Sequence, residues 1–340
     1  MDSSETRKKQ RHPTIRDVAT VAGVAESTVS RAMTNPDRVH HATRERILSI
    51  AAEMKYVPSA QARAMSGGRT NSVGLMVADV TNPFYFGIIR GTQSQLRSAG
   101  LTQLLVDTEE SRSVEASTLS RLRNSVDGVV LASSRLPDDE LSVAAQQMPL
   151  VTINRHLEGV ASVIIDSATG VSQALEHLVS LGHERVAFIS GPNASWSNQV
   201  RWSAATAAAE RLEVKLSRVG PFVPQIASGG AAADAVVNDG ATACIAFNDL
   251  LAIGVMHRFA ERGMKVPDDI SVVGCDDIFG ADFCDPPLTT IAANSEAAGR
   301  AAISLLWERI TQPGTPVSYT VIPTHLTIRA STGRAPVVSR

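Results

Sequence analysis

Four polar side chains lie where sheet proteins commonly bind small molecules. Asn154, Asn248 and Asp276 each come directly after an apolar, β-rich run, and Arg201 lies on a predicted helix. A carboxylate accepts hydrogen bonds, an amide donates and accepts them, and a guanidinium presents a planar fork of donors. Together these groups suit the vicinal hydroxyls of a sugar, a polyol or a sugar-like acid. The alternative is that each is a loop residue that caps a neighbouring helix.

A second set of polar side chains lies near the amino terminus, on a short predicted helix, and suits DNA. Arg31 can bind guanine O6 and N7 with two hydrogen bonds, a contact worth about 1–3 kcal/mol of discrimination, or it can clamp a phosphate. Thr28, Ser30 and Thr34 are short hydroxyl residues suited to phosphate oxygens. One helix therefore offers groups for bases and groups for the DNA backbone.

Two short helices joined by a tight turn are predicted to position these side chains. Thr14 and Asp17 resemble a capping box at the start of the first helix, and Gly23 ends it. The first helix has apolar residues at the i, i+3, i+4 and i+7 positions of one face: Ile15, Val18, Ala19 and Ala22. The second helix carries Val29, Ala32 and Met33. This layout is typical of a helix-turn-helix DNA reader, although an ordinary helical hairpin has the same pattern.

The amino-terminal region is basic and the remainder is acidic. Residues 1–70 hold 12 Lys and Arg against 7 Asp and Glu, and residues 71–340 hold 20 against 27. The run RKKQRH over residues 7–12 stands beside the helix pair, which indicates a nucleic-acid reader with a separate body. A solvated charge run is the alternative. We predict a disordered basic arm over residues 1–13.

A third helix, from about Thr43, completes a predicted helix-turn-helix domain over residues 14–58. Its apolar face comprises Ile47, Ile50, Ala51 and Met54. Residues 59–65 suit one more helix, but seven residues are too few for a helix that is stable alone. Such a helix would fold only when another surface stabilises it, for example a DNA groove. A plain linker is the alternative. We assign residues 59–70 to this hinge helix and linker.

From residue 71 to about residue 333, short β-rich runs alternate with helix-length amphipathic runs. The alternation predicts an α/β body with parallel sheets and helices on both faces. Ten strands are many for one sheet, so we predict two sheets with a cleft between them, at the carboxyl ends of the strands. The predicted strands are 73–77, 101–106, 128–132, 150–153, 163–165, 186–190, 244–247, 271–274, 289–292 and 321–328. The predicted helices are 85–99, 112–124, 138–147, 168–181, 199–212, 230–239, 249–262 and 295–311.

Composition argues against several other classes of protein. Cys244, Cys275 and Cys284 have no CxxC spacing, which predicts buried small apolar residues rather than a disulfide set or a metal site. We find no signal peptide and no stretch near the roughly 20 apolar residues of a membrane helix. We therefore expect a cytoplasmic protein that contacts the nucleoid and has no membrane partner.

Motifs along the chain resemble, in order and spacing, those of the lactose/galactose repressor (LacI/GalR) family. The resemblance extends from Thr14 to about Gly333, and no single motif carries it. The matching segments are TIRDVATVAGV, STVSRAM, TRERI, YVPSAQARAM, GRTNSVGLMV, NPFYF (82–86), DGVVL (127–131), HLVSLGHERVAFISG (177–191), FNDLLAIG (247–254), VPDDISVVGCDD (266–277) and PPLTTI (286–291).

The resemblance implies a dimeric transcription factor that binds a palindromic operator. Its body would be a two-lobed, periplasmic-binding-protein-like domain for effector binding and dimerisation. The chain would cross between the lobes near Asp166, Asn294 and Thr324. The lobes would comprise about 71–166 with 295–323, and about 167–294 with 324–333. Tetrameric members of the family carry a leucine-heptad helix at the carboxyl end. The tail over residues 334–340 shows no such pattern, so the resemblance favours a dimer over a tetramer.

The resemblance also places individual DNA contacts. Glu26 and Ser27 occupy the two positions that choose operator sequence, and a Glu can accept a hydrogen bond from cytosine N4. Met65 stands where the family inserts a Leu into the minor groove, and Met can act as such a wedge. Ala25 and His40 replace the family's usual Ser residues. The predicted DNA-binding set is Thr14, Glu26, Ser27, Thr28, Ser30, Arg31, Thr34, His40, Ser59, Ala62 and Met65.

Aromatic residues at cleft-facing family positions could stack on a sugar face or a base. Trp196 is among them, in a predicted loop. At two positions where the family usually contacts its effector, this chain has the small residues Ala293 and Ser295. Their small side chains leave room in the cleft, or fit a ligand of a different shape. For Asp249 and Asp277 we favour helix capping. The predicted effector-binding set is Phe84, Tyr85, Asn154, Trp196, Arg201, Phe222, Asn248 and Asp276.

Three classes of function remain to be compared. An operator-binding repressor gated by a sugar-like effector agrees with the head and body, and a repressor that uses a purine or nucleoside corepressor is an alternative. An enzyme is disfavoured, because we find no Gly-rich phosphate loop, no Ser-His-Asp arrangement, no metal cluster and no cofactor motif. A transport-type sugar-binding protein is disfavoured by the basic head.

Overall fold

The computed structural model describes residues 13–34, 36–56 and 69–336. Contacts divide the chain into an amino-terminal unit that ends at Asn71 and a body that begins at Ser72. The predicted hinge helix lies outside the described residues, and so do almost all of the predicted basic arm and the candidate DNA contacts Ser59, Ala62 and Met65.

The amino-terminal unit contains the predicted helix-turn-helix. A capping box begins its first helix: the Thr14 backbone N–H donates to Asp17 Oδ2 (2.7 Å), and the Asp17 N–H donates to Thr14 Oγ1 (3.4 Å). Gly23 ends that helix with φ +65°, where a side chain would be strained. The helices are α1 (Ile15–Ala22), α2 (Glu26–Thr34) and α3 (His41–Glu53), with a 3₁₀ turn at Pro36–Arg38. The buried core of this unit comprises Val18, Ala19, Ala22, Val29, Ala32, Ile47 and Ala51. These residues confirm the predicted apolar faces.

The body is built from strands and helices that alternate along the chain. Its strands are β1 (Ser72–Val77), β2 (Thr102–Asp107), β3 (Gly128–Ala132), β4 (Leu150–Ile153), β5 (Ala161–Ile165), β6 (Arg185–Ile189), β7 (Lys215–Val219), β8 (Ala243–Ala246), β9 (Ser271–Asp276), β10 (Thr289–Ala293), β11 (Tyr319–Ile322) and β12 (Thr324–Thr327). Its helices are α4 (Phe84–Ser98), α5 (Arg112–Leu122), α6 (Asp138–Gln147), α7 (Ser167–Ser180), α8 (Trp196–Leu212), α9 (Gly229–Asp239), α10 (Asp249–Glu261) and α11 (Ser295–Thr311), and a 3₁₀ turn lies at Ile226–Ser228.

The strands of the described body form two six-stranded sheets, which define two lobes. The first lobe has the order β11-β5-β4-β3-β1-β2, and the second has the order β12-β10-β9-β8-β6-β7. Neighbouring strands are parallel except β10 and β12. The central strands β3, β4 and β8 are buried at every residue, as expected for strands covered on both faces. The predicted parallel α/β body with two sheets is confirmed.

The chain passes from one sheet to the other three times. It leaves the first sheet after β5, at Asp166, and returns after β10, at Asn294, whose side chain caps α11. The third passage lies between β11 and β12, at Pro323. Three short connections therefore join the lobes.

Three predictions for elements of the body differ from the structure by more than two residues. The predicted strand over 321–328 is two strands in two sheets, because Pro323 interrupts the run. Strand β7 is missed, because its sequence KLSRV is half polar, as is common for an edge strand. Helix α8 begins at Trp196 rather than 199, since Ser195 Oγ accepts from the Asn198 N–H and caps it there.

The prediction that the cysteines are buried is confirmed for two of the three. Cys244 and Cys275 are buried and Cys284 is half-buried, and all three are free thiols. None of the helices in the described ranges is long and apolar enough to span a membrane.

Candidate ligand-binding cleft and nucleic-acid interface

A cavity of about 30 Å³, here called the inner compartment, lies between the two lobes. Side chains from the carboxyl ends of both sheets line it, as the strand–helix pattern predicts. Six of the eight predicted effector residues line this compartment: Phe84, Tyr85, Asn154, Arg201, Asn248 and Asp276. Trp196 and Phe222 are both half-buried and do not line it.

Arg201 is the central cation of the inner compartment. Its side chain is only 5% exposed, and its Nη2 donates to Asp276 Oδ1 at 2.9 Å. Its Nη1 donates to the Phe247 carbonyl, and the guanidinium lies over the Phe247 ring at 5.1 Å from the centroid. The buried Nε has no hydrogen-bond partner among the described residues. One donor of this buried guanidinium is therefore without a partner, which is uncommon for a buried polar group.

Asp276 completes this ion pair at the end of β9. Burial raises the pKa of its carboxyl group, and the neighbouring Arg201 opposes that increase. The Asp276 backbone has φ +114°, and Asn154 and Ser133, which follow β4 and β3, have φ of 56° and 61°. A positive φ is uncommon for residues other than glycine, although Asn and Asp tolerate it best, and such residues are often found at ligand sites. Three strand ends around the compartment therefore have left-handed backbone.

The two asparagines combine positioning with capping. Asn248 Oδ1 accepts from the Leu251 N–H (3.0 Å) and caps α10, while its Nδ2 donates to the Pro224 carbonyl at 3.2 Å. Asn154 Oδ1 accepts from the Ile165 N–H at 3.1 Å. The capping alternative thus holds for Asn248, which nevertheless lines the compartment.

A second ion pair in the inner compartment is missing from the sequence prediction. Arg135 donates through Nε to Glu110 Oε2 at 2.6 Å and through Nη1 to the Ser133 carbonyl at 2.7 Å. Burial raises the pKa of Tyr85, and the nearby Arg135 and the Ser133 side chain oppose that increase. Ser133 and Glu110 follow β3 and β2, so the rule applied to the other strand ends could have found them.

Asp249 is a buried carboxylate behind the compartment. It accepts from Thr290 Oγ1 at 2.5 Å and from the Ile278 N–H at 2.8 Å. Burial and the nearby Asp276 raise its pKa to about 7. Asp277 instead pairs with Arg329 at 2.7 Å. The side-chain bonds of both residues join separate segments of the second lobe, so the helix-capping interpretation does not describe them.

Helix α2, the second helix of the helix-turn-helix, presents polar groups on its outer face. Glu26, Ser27 and Arg31 are exposed, and Thr28 and Ser30 are half-buried. Arg16 of α1 approaches Glu26 at 3.9 Å between nitrogen and oxygen, with both side chains largely exposed.

The remaining described DNA candidates differ in their roles. The Thr14 hydroxyl donates to Asp17 Oδ2 (2.7 Å) within the capping box. His40 precedes α3, is exposed and makes no side-chain capping bond. Thr34 is the last residue of α2.

Within the described residues, no group of three His, Cys, Asp or Glu side chains is placed to hold a metal ion. The arrangement offers hydrogen-bonding groups and aromatic faces in the cleft. A helix-turn-helix head and a two-lobed body with a polar cleft together define the class of ligand-binding, DNA-binding transcriptional regulators.

Comparison with known proteins agrees with this class. Residues 14–59 match the bacterial regulatory proteins of the lacI family, and residues 175–332 match the periplasmic binding protein-like domain. The HTH-type transcriptional repressor CytR of Escherichia coli K12 is 31% identical over 98% of this chain and 100% of its own length. This chain belongs to the LacI family.

Solved structures share the architecture. The lac repressor dimer bound to operator and the anti-inducer ONPF matches 95% of this chain and 100% of that chain, with a TM-score of 0.79 and 25% identity. A LacI-family regulator from Enterococcus faecalis V583 with bound ribose matches 77% of this chain and 98% of that chain, with a TM-score of 0.70 and 29% identity.

Proposed function

We propose that this regulator is a cytoplasmic repressor that binds a palindromic operator as a homodimer and responds to a small molecule in the inner compartment. The observation that carries this proposal is Arg201, a buried guanidinium that lines a cavity between the two lobes and whose Nε has no hydrogen-bond partner among the described residues. A ligand held there would contact both lobes and change their relative orientation. The proposed role is regulatory rather than catalytic.

A neutral, hydroxylated ligand suits the charges of the inner compartment. Arg201 pairs with Asp276, and Arg135 pairs with Glu110, so each cation that lines the compartment already has a carboxylate partner. A sugar acid would add an unbalanced negative charge, whereas hydroxyl groups can both donate and accept. The ribose in the Enterococcus regulator supports this class. We therefore favour a sugar or polyol.

A nucleobase or nucleoside effector is the second candidate. The rings of Phe84 and Phe247 both line the inner compartment and present apolar surface on which a base could stack. A thermal-shift screen of the full chain with neutral sugars, sugar acids and nucleosides separates the candidates. A shift by neutral sugars is expected, and a shift by nucleosides alone would contradict our choice.

DNA recognition is proposed to use α2. Glu26, Ser27 and Arg31 are exposed on it, as base-reading residues must be. We expect operator selection from random DNA to recover a palindrome, with an affinity that falls as salt rises.

Arg31→Ala tests the base contact on the selected operator. If Arg31 reads guanine, the change weakens binding by about 1–3 kcal/mol and relaxes specificity at one position of each half-site. Fluorescence anisotropy with single-base operator variants measures both effects. Arg121→Ala, in α5 of the body, is the control and should bind normally. Uniform weakening with a smaller salt slope would instead identify a phosphate contact.

Homodimerisation is supported by apolar side chains exposed on the body. Phe279 and Phe283 are 78% and 66% exposed, and their rings meet edge-on at 5.1 Å. Leu104 and Leu105 are exposed on β2, at the edge of the first sheet. Large exposed apolar groups of this kind commonly mark protein interfaces.

Phe283→Asp is expected to raise the dimer dissociation constant at least tenfold, because it places a charge in an apolar interface. Sedimentation velocity over a concentration series measures this change. Val143→Asp, at an exposed apolar position of α6, should leave the dimer intact. Unaltered association of Phe283→Asp would show that this face is not the interface.

A further inference from the structure

An apolar groove, here called the α5–α6 groove, lies on the first lobe. Its volume is about 330 Å³, and every residue that lines it falls between positions 116 and 148. All of these positions belong to the first lobe, so the groove is separate from the cleft between the lobes. Exposed apolar surfaces commonly mark binding sites for other molecules. The apolar lining residues are Ala116, Leu119, Leu136, Val143, Ala144 and Met148.

The groove lies on the face of the first sheet opposite α4 and α11. Successive residues of a strand point to opposite faces, and in β1 Leu75 packs in the core that includes those two helices. Its neighbour Met76 packs instead with Leu119 of α5 and Leu141 of α6. Both leucines are buried, so the two helices that form the groove are held on the sheet by a packed core.

Side chains connect α5 and α6 at both ends of the groove. At the amino-terminal end of the helices, Arg112 pairs with Glu140. At the carboxyl-terminal end, Arg123 Nη1 donates to Gln147 Oε1 at 2.8 Å. The apolar lining lies between these two contacts, so an occupant must enter from the outer surface of the lobe.

The two ends of the groove carry opposite charges. Asp139 is exposed at the amino-terminal end of α6, and Arg123 is exposed after α5 at the other end. Neither forms an ion pair with another described residue, whereas Asp138 and Glu140, on either side of Asp139, pair with arginines. Both helices run in the same direction, so their positive dipole ends lie beside Asp139 and their negative ends beside Arg123.

This arrangement is complementary to itself. A twofold axis perpendicular to the groove reverses its direction, so Asp139 of one copy would lie opposite Arg123 of the other, and the same pair would form a second time. The rotation also sets the helices of the two copies antiparallel, which places opposite dipole ends together. An unrelated partner would need a separately matched charge at each end, whereas a second copy supplies both.

Val143 is the side chain suited to fill the groove of the other copy. It is 51% exposed on α6, and the short side chains of Ala116 and Ala144 beside it allow facing helices to approach closely. Helices α5 and α6 have 11 and 10 residues, so each offers about 15 Å of length. Such a face is smaller than the roughly 800 Å² per partner of a standard interface, so its association is weak.

We propose that the α5–α6 groove binds the same groove of a second copy of this chain. The contact is twofold, is separate from the dimer face at Phe279 and Phe283, and joins two dimers into a tetramer without a carboxyl-terminal helix. The tetramer rests on the proposed homodimer, but the groove contact itself does not.

Sedimentation velocity of the full chain tests the contact, over a concentration series that reaches about 200 µM because small interfaces associate weakly. The wild type is expected to form dimers at the low end and tetramers at the high end. Val143→Asp places a charge in the groove and should remove the tetramer while the dimer remains. A wild type that forms nothing larger than a dimer would overturn the contact, and a tetramer that survives Val143→Asp would overturn its placement.

Phe283→Asp separates this contact from the proposed dimer face. The variant should still associate through the groove into a dimer, which the addition of Val143→Asp should convert to a monomer. If Phe283→Asp remains tetrameric and Val143→Asp is dimeric, the proposed dimer face is wrong and the groove contact stands. If Phe283→Asp is monomeric at every concentration, the groove contact is wrong and the dimer face stands.

A charge exchange tests the twofold geometry. Asp139→Arg alone, or Arg123→Asp alone, sets like charges opposite each other and should raise the tetramer dissociation constant at least tenfold. The double variant exchanges the two ends and should return the constant to within about threefold of the wild type. Glu210→Arg, a charge reversal at an exposed position of α8 in the second lobe, is the matched control.

Restoration by the double variant reports a contact between copies, because the two residues lie at opposite ends of the groove within one chain. Melting temperatures of all variants, measured by differential scanning calorimetry, establish that each is folded. A double variant that melts like the wild type but associates no better than the single variants would overturn the twofold contact.

Discussion

At the scale of single residues, the body keeps several charged groups away from water near the inner compartment. Asp249 is the clearest case, since its buried carboxylate receives only two hydrogen bonds and has a pKa of about 7. An unfolded chain would have an ordinary Asp pKa near 3.9. Between these values the folded state holds a proton that the unfolded state has lost. The contribution of Asp249 to stability is therefore complete below about pH 4 and is lost as the pH rises through about 7.

Asp249→Asn should flatten that dependence. The amide keeps one acceptor for Thr290 or Ile278 but has no proton to lose, so the melting temperature should decline less between pH 5 and pH 8 than in the wild type. Differential scanning calorimetry across that range measures the difference. Asp138→Asn, at an exposed carboxylate, should retain the wild-type profile. Parallel profiles for Asp249→Asn and wild type would show that Asp249 is not the titrating group.

Site residues could be predicted from sequence wherever a side chain directly follows a strand. Asn154, Asn248 and Asp276 were found in this way, and Arg201 was found on its helix. Trp196 does not line the inner compartment, and the loop predicted for it is wrong, because the Ser195 cap begins α8 at Trp196. The strand-end rule reaches Ser133 and Glu110 as single residues, but no local pattern predicts that Arg135 and Glu110 pair, because 25 residues of chain separate them.

At the scale of elements, close packing of α4 against α11 holds the first lobe together beside the cleft. Gly91 of α4 faces the backbone of Glu296, where a Cβ would lie 2.1 Å from the carbonyl oxygen. Gly299 of α11 faces α4 in the same way, since its Cβ would lie 2.5 Å from the Ile88 carbonyl. Backbone atoms cannot move aside as a flexible side chain can.

Gly91→Ala should therefore destabilise the body, by about 1–3 kcal/mol or more, as is typical of an overpacked core. Urea unfolding, followed by far-ultraviolet circular dichroism, measures the shift in midpoint. Gly230→Ala is the matched control, because a Cβ there meets nothing within 4 Å and alanine favours a helix by up to about 1 kcal/mol. Equal midpoints for the two variants would contradict the role given to this contact.

Elements with a strong apolar period were predicted well, and those without one were not. The buried strands β3 and β4 match their predicted ranges residue for residue. The sequence does not predict edge strand β7, because three of its five residues are polar. It predicts a single strand over 321–328, because apolar content alone does not reveal a change of sheet. Only the sheet order shows that Pro323 separates two lobes.

At the scale of the whole molecule, three passages join two lobes around a cleft, and a helix-turn-helix unit precedes them. Any ligand bound between the lobes must favour one lobe orientation over another to act as an effector. Arg201 and Asp276 lie on the second lobe and Phe84 on the first, so a bound sugar would touch both. The direction of the response, release of DNA or tighter binding, depends on which orientation the ligand favours.

We propose that the cleft ligand controls DNA binding through Arg201. The direct measurement is the operator Kd, by fluorescence anisotropy of the full chain, with and without the sugar that binds. The wild type should change its Kd at least tenfold on addition of sugar. Arg201→Ala should bind operator within twofold of the wild type and lose the response, whereas Arg211→Ala, at an exposed position of the same helix, should keep it. A wild-type response from Arg201→Ala would contradict the account.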